Sequence, residues 1–295
     1  MRRLFLPLLA LLTTVQPATA QHYAMPDVPD SIAEPAQRAD YAILHYWQRY
    51  DFADTTLLRN GHAEQALVEF LGLMPYATER GRNEGIGRWL QQADRNTTAC
   101  RYFLSQAERY LYHPDSPLRN EQLFRTVLQQ SLRLASADAA MQDRSRFLLR
   151  LTGRNAVGNK AESFVCETSR GQRLSTDSIQ GPLLLICYDP ECERCQDLLF
   201  SLRYCSPLNL AIKEGRMTVL AVYTGGDEQL WRNTSGDMPA QWLTAIDRTG
   251  IGEKMLYDLT AMPVMLLTDS QRRVIMKEPT LQQLTDWLIV RGVGE

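Results

Sequence analysis

Residues 181–205, GPLLLICYDPECERCQDLLFSLRYC, decide how the chain is read. The stretch opens on a nearly continuous apolar run, GPLLLICY, which suits a strand covered on both faces. It closes on CQDLLFSLRYC, whose apolar side chains recur at helical spacing. Between the two, at a strand-to-helix junction, Cys192 and Cys195 frame Glu193 and Arg194. That spacing serves a redox disulfide, a zinc ion, an iron–sulfur cluster or a static staple.

Working outward from the junction, strand-like and helix-like runs alternate. SFVCET (163–168), MTVLAVY (217–223), WLTAID (242–247), PVMLLTD (263–269) and RRVIMK (272–277) read as further strands. SPLNLAIKEG (206–215) extends the helix after the cysteines, and IGEKMLYDL (251–259) and TLQQLTDWLIVRG (280–292) read as helices. Parallel strands with crossovers, then a hairpin, predict a mixed sheet flanked by helices on both sides. Upstream the grammar is helical from Pro29 to Arg154. Ser31-Ile-Ala-Glu34 reads as a capping box ahead of Pro35. The runs 63–74, 83–93, 98–112, 121–135 and 138–152 follow, interrupted by Pro75, Pro114 and Pro117. The expected class is α+α/β: a bundle of about five or six helices over 21–154, then an α/β sheet domain over 155–295, joined by RNAVGNKAES (154–163).

Composition narrows the function classes. The chain has 295 residues, 44% of them apolar, enough for packed cores in about two domains. Its 32 Lys and Arg against 34 Asp and Glu give a net charge of −2, with no basic run, so nucleic acid is not an expected partner. The N-terminus, MRRLFLPLLALLTTVQPATAQ, carries Arg2 and Arg3, an apolar run from Leu4 to Leu12, and Ala18-Thr19-Ala20. These are the charged, apolar and cleavage regions of a secretory leader, expected over 1–20. The run falls short of the roughly 20 residues that span a bilayer. The expected location is exported and periplasmic, with no membrane span. Cys100, Cys166, Cys187 and Cys205 sit among apolar neighbours and are expected as buried core residues, with a disulfide among them as the competing reading.

At a helix N-terminus, free N–H groups and the helix dipole favour negative charge, here on Cys192. A thiolate there attacks a disulfide, and Cys195 resolves the product. Met262-Pro263 precedes the strand PVMLLTD. Proline cannot donate a ladder hydrogen bond, and if its peptide bond is cis the backbone of Met262 is left free to pair with an extended substrate segment. Zinc lacks a second ligand pair, because His22, His45, His62 and His113 all precede the C-terminal half. Haem attachment requires histidine where Gln196 stands. Cys187, Cys192, Cys195 and Cys205 reproduce a plant-type ferredoxin spacing, but Cys187 falls inside an apolar strand. A staple over so small a loop removes little chain entropy. No cofactor and no metal are expected.

From about Gly158 onward the chain resembles the exported thioredoxin-like proteins of cytochrome maturation. The resemblance rests on Gly158-Asn-Lys-Ala161-Glu-Ser-Phe164, on CERC after the first long strand, on Trp242 and Asp247, and on Ala261-Met262-Pro263-Val264. With HYWQRYDFADT (45–55) and YLYHPDSPLRNE (110–121), the whole chain is also similar to a bacterial exported thioredoxin-like family with an N-terminal helical domain of unknown function. The resemblance implies a thioredoxin-like sheet domain and thiol–disulfide exchange on protein thiols and disulfides. Cys192 would be the nucleophile, Cys195 the resolver, Met262 and Pro263 the substrate-binding edge, and Glu193 and Arg194 modulators. A reductase of this kind would draw electrons from a membrane donor. The chain departs from the thioredoxin pattern at Glu191, where tryptophan is usual, and at Glu193-Arg194, where a proline is often found. It also has Ile186 in place of a buried carboxylate and Leu198 where exported relatives often have glutamate. The second reading is therefore a redox-inactive binding or scaffold protein of the same fold, whose helical domain recognises a partner.

Overall fold

The computed structural model describes residues 25–59 and 61–293, so the expected leader lies outside the described residues. The N-terminal region is a bundle of α1 (Pro35–His45), α2 (His62–Leu73), α3 (Glu79–Ala93), α4 (Thr97–Leu111), α5 (Glu121–Ser131) and α6 (Ala139–Gly153). Side chains cap the N-termini of α3 to α6, taking up one or two of the free N–H groups that start each of these helices. Asn96 accepts from Thr98 and Ala99, Asn120 from Leu123 and Asp138 from Met141. The expected Ser31 cap is not used: α1 starts at Pro35 with Glu34 at its N-cap and no side-chain cap bond. Pro35, whose ring fixes φ near the helical value, sets that start instead.

Aromatic packing fills the bundle. The Trp47 and Trp89 rings stack at 6.2 Å, and Phe70 and Phe103 meet both edge-on or tilted. Such rings supply large apolar area and specific geometry. The HYW segment is thus core, with Tyr46 and Trp47 buried. Close approach of α1 and α3 needs glycine: a Cβ on Gly85 would lie 2.0 Å from Ile43 Cγ2. The same side of α3 begins at Thr78, whose backbone N–H and hydroxyl both donate to Asp40 of α1, at 2.8 and 2.7 Å.

The C-terminal half is one seven-stranded sheet of order β2-β1-β5-β4-β3-β6-β7. The strands are β1 (Val165–Thr168), β2 (Arg173–Ser175), β3 (Leu183–Tyr188), β4 (Thr218–Tyr223), β5 (Leu243–Asp247), β6 (Val264–Thr268) and β7 (Val274–Lys277). β3, β4 and β5 run parallel; β6 is antiparallel to β3 and to β7. Every residue of β3 is buried. Leu184, Ile186 and Tyr188 pack on one face with α7 (Glu193–Arg203), α8 (Ser206–Lys213), α9 (Glu228–Thr234) and α10 (Leu281–Val293). Leu183, Leu185 and Cys187 pack on the other with Phe164, Ile251 and Tyr257.

Three local readings change. The helix expected to continue from 195 to 215 breaks into α7 and α8, because Pro207 in the first turn of α8 cannot donate to a preceding carbonyl. The helix expected over 251–259 is a series of turns. Asp247 accepts from Thr249 N–H and Ile251 N–H, both at 2.7 Å, and Lys254 N–H reaches Gly250 O at 2.9 Å, but the left-handed φ of 52° at Met255 ends the helical path after that one turn. The short polar strand β2, on the sheet edge, was not anticipated. No helix among the described residues is long and apolar enough to cross a membrane.

The halves are tied by charge and hydrogen bonds. Lys277 donates to Glu121 at 2.9 Å and to the carbonyls of Thr152 and Arg154, while neighbouring Glu278 accepts from Arg119 at 2.9 and 3.0 Å. Asn155 donates to Leu256 O at 2.9 Å. Elsewhere, the buried Arg272 guanidinium donates to Thr268 Oγ1, Ile179 O and Gly181 O at 3.0, 2.5 and 2.6 Å, fastening the β6–β7 turn to the start of β3.

Gly85→Ala should cost about 1–3 kcal/mol through overpacking, read by urea unfolding; unchanged stability contradicts the close approach. Arg272→Met should cost about 1–3 kcal/mol by stripping buried carbonyls of their donor, and an unaltered unfolding midpoint contradicts that role.

Candidate redox site

β3 delivers the chain to the sheet end at Tyr188, where it turns. Glu191 N–H donates to Asp189 Oδ1 at 2.9 Å, and Cys192 N–H to Asp189 O at 3.2 Å. Gln196 closes the turn by donating its side-chain amide to Pro190 O at 2.6 Å. Cys192 is then the N-cap of α7, with extended backbone (φ −84°, ψ 115°). Its Sγ accepts the Cys195 N–H at 3.3 Å, taking the place an Asx or Ser oxygen fills at ordinary caps. The first sulfur therefore sits where helix N–H groups converge.

The two cysteines differ in access. Cys192 is half-buried; Cys195 is fully enclosed. Burial pushes the Cys195 thiol up to about 12, opposed by the Asp189 backbone N–H and reinforced by Cys192. Glu191, Glu193 and Arg194 are exposed around the pair. Ile186, buried, and Leu198, half-buried, belong to the apolar cluster beneath it, so neither position supplies a carboxylate.

The β3–β6 pairing brings the other expected residues here. Cys187 lies opposite Val264 in register, so the end of β3 adjoins the start of β6. Met262 and Pro263, joined by a cis peptide bond, lead into β6, and Cys192 Sγ lies 3.9 Å from Met262 O. Cys192, Cys195, Met262 and Pro263 thus form one site, with Glu193 and Arg194 on its rim. The ferredoxin-like spacing does not gather its sulfurs: Cys187 packs on the opposite face of the sheet from Cys195 and Cys205. Cys100, Cys166, Cys187 and Cys205 are free and buried, as expected.

Sequence reading missed the contribution of the helical region. Arg194 pairs with Asp115 at 3.1 Å, and Tyr112 OH donates to Asp258 Oδ2 at 2.6 Å and lies 3.2 Å from Thr260 Oγ1. Both come from the α4–α5 connection. The dense run of aromatic, proline and charged residues in YLYHPDSPLRNE was the available signal, but nothing in it names the partner residues.

Comparison with known proteins agrees with this architecture. Residues 11–155 match the family model for a domain of unknown function, DUF5106. The crystal structure of a thioredoxin-like protein from Bacteroides caccae superposes with a TM-score of 0.85 at 28% identity, covering 92% of this chain and 99% of that one. The C-terminal domain of an uncharacterized Bacteroides fragilis protein is 26% identical with a TM-score of 0.45, covering 46% of this chain and 98% of its own. A thiol:disulfide interchange protein from Bacteroides sp. is 18% identical with a TM-score of 0.41, covering 48% and 91%. No curated protein matches. The chain thus joins a region that matches the DUF5106 model to a sheet domain of thioredoxin-like fold, and it superposes on the Bacteroides caccae thioredoxin-like protein over 92% of its length.

Proposed function

We propose that the protein is an exported thiol–disulfide oxidoreductase acting on protein disulfides through Cys192 and Cys195. The observation that carries this reading is the Cys192 sulfur at the N-cap of α7, 3.9 Å from Met262 O, with Cys195 enclosed one turn below. A half-buried first thiol and a fully enclosed second one suit the order of attack in disulfide exchange.

The Cys192 thiolate attacks one sulfur of the substrate disulfide. A mixed S–S bond forms, and the other substrate sulfur leaves as a thiolate. Cys195 then attacks Cys192 Sγ, its proton passing to the departed thiolate. The Cys192–Cys195 bond closes and the second substrate sulfur is released, protonated by solvent. The substrate gains two electrons and two protons, and the dithiol gives them up. The backbone beside Met262 and Pro263 is the edge on which an extended substrate segment would lie. Because Cys195 stays protonated until a partner sulfur is at hand, the mixed disulfide is the state in which resolution becomes favourable. Restoring the dithiol takes a second thiol pair, which an exported protein would meet on a membrane electron donor. The leader-like residues 1–20 support export.

Reduction of insulin disulfides by the reduced protein should be abolished in Cys192→Ser and retained in Cys100→Ala; equal activity in both variants overturns the reading. Iodoacetamide at pH 8 should modify Cys192 and spare Cys195, whose proton is held up to about 12. Mass mapping that finds Cys195 labelled first contradicts the geometry. Stability of the reduced protein has a matching sign. An ordinary thiol ionises near 9.0, so from there up to about 12 unfolding releases the Cys195 proton and stability falls as pH rises. Flat stability over that range contradicts the burial effect.

A further inference from the structure

The connection from α4 to α5 touches both halves of the dithiol site. Residues 112–119 leave α4, cross the sheet domain, and return to α5. The segment is internally fixed. Ser116 Oγ donates to Tyr110 O, Ser116 N–H donates to His113 O at 3.1 Å, and Asn120 N–H donates to Leu111 O at 2.9 Å. Pro114 and Pro117 restrict its backbone further. Its first anchor is Tyr112, buried, stacked on Phe124 at 5.1 Å, with its hydroxyl on Asp258 and Thr260 in the loop that runs into Met262-Pro263. Its second is Asp115, 3.1 Å from the guanidinium of Arg194, between the two cysteines. Its third is Arg119 on Glu278.

Arg194 is the single cation of the segment DPECERC, against Asp189, Glu191 and Glu193. Arg194 thus stands between the two cysteines in a turn that otherwise carries only negative charge. Asp115 engages that cation from another part of the chain, with His113 3.9 Å from the same carboxylate. Exposed ion pairs contribute little to stability, so this one is not what docks the two halves. Docking falls to Tyr112 and to the pairs at Lys277 and Glu278, and they deliver Asp115 already positioned. The pair is therefore free to act on the charge around Cys192.

We propose that the helical region is a working part of the dithiol site: Asp115 restrains the Arg194 guanidinium and so sets the reactivity of Cys192, while Tyr112 positions the loop that presents the substrate edge. Asp115 and Tyr112 are positioning residues. The proposal rests on the oxidoreductase reading and adds to it a control on reactivity exerted from outside the thioredoxin-like fold.

The test is a double-mutant cycle on the intact chain, reading the rate of iodoacetamide reaction with Cys192 at pH 7 and low salt. Asp115→Asn frees the cation and should speed alkylation about two- to five-fold, the range an exposed pair supports. Arg194→Gln should slow it. In the Arg194→Gln background the Asp115→Asn gain should shrink, and 1 M NaCl should erase most of it. Tyr112→Phe keeps the ring stack but removes the hydroxyl. It should raise KM for insulin reduction several-fold while leaving Cys192 alkylation unchanged. Equal alkylation in all four proteins of the cycle, with insulin reduction still dependent on Cys192, overturns the inference and leaves the oxidoreductase reading intact. Coupled alkylation without Cys192-dependent insulin reduction does the reverse.

Discussion

The antiparallel pairing of β3 with β6 is the constraint on which the site depends. Because Cys187 faces Val264, the last but one residue of one central strand lies beside the first residue of the next. The turn leaving β3 and the turn entering β6 are then forced to the same end of the sheet. Cys192 and Met262 meet for that reason alone, although the sequence separates them widely. β3 can hold this register because all its residues are buried and its alternate side chains enter two different cores. A one-residue slip would exchange those cores, so the register is strongly specified.

Charge completes what the sheet begins. The apolar cluster around Cys195 encloses the resolving thiol, and burial keeps its proton in place, with the negative charges of Cys192 and Asp189 acting in the same direction. Around the rim, by contrast, charges of both signs are exposed, and one of the partners, Asp115, comes from the helical half. The two halves meet through partly buried ion pairs at Lys277 and Glu278 and through the buried Tyr112–Asp258 hydrogen bond. Such contacts lose more when one partner is removed than they contribute when intact, which favours a fixed relation between the halves.

The sheet was legible because its central strands are uninterrupted apolar runs, and the CERC motif because it lies between such a run and a helix-period segment. The helices of the first half were legible from apolar spacing and from the prolines that interrupt it, whereas their caps at Asn96 and Asn120 were not read. β2 was not, since Arg173–Ser175 is short, polar and pairs only along an edge. The segment 251–259 misled because its apolar spacing fits a helix, while Met255 adopts a left-handed φ of 52° that breaks it. Of the site, Cys192, Cys195, Met262 and Pro263 were legible from motif and strand position. Asp115 and Tyr112 were not, because their partners Arg194, Asp258 and Thr260 are brought near only by tertiary packing, for which one sequence carries no local signal.

The central claim is that Cys192 and Cys195 exchange disulfides rather than staple a turn. The most direct measurement is the reduction potential of this pair in the intact protein, equilibrated in glutathione buffers and quenched by alkylation. The account predicts a reversible two-electron transition above about −300 mV, where exchange-active pairs lie. A pair that stays oxidised at much lower potentials, or that cannot be oxidised reversibly, would contradict it.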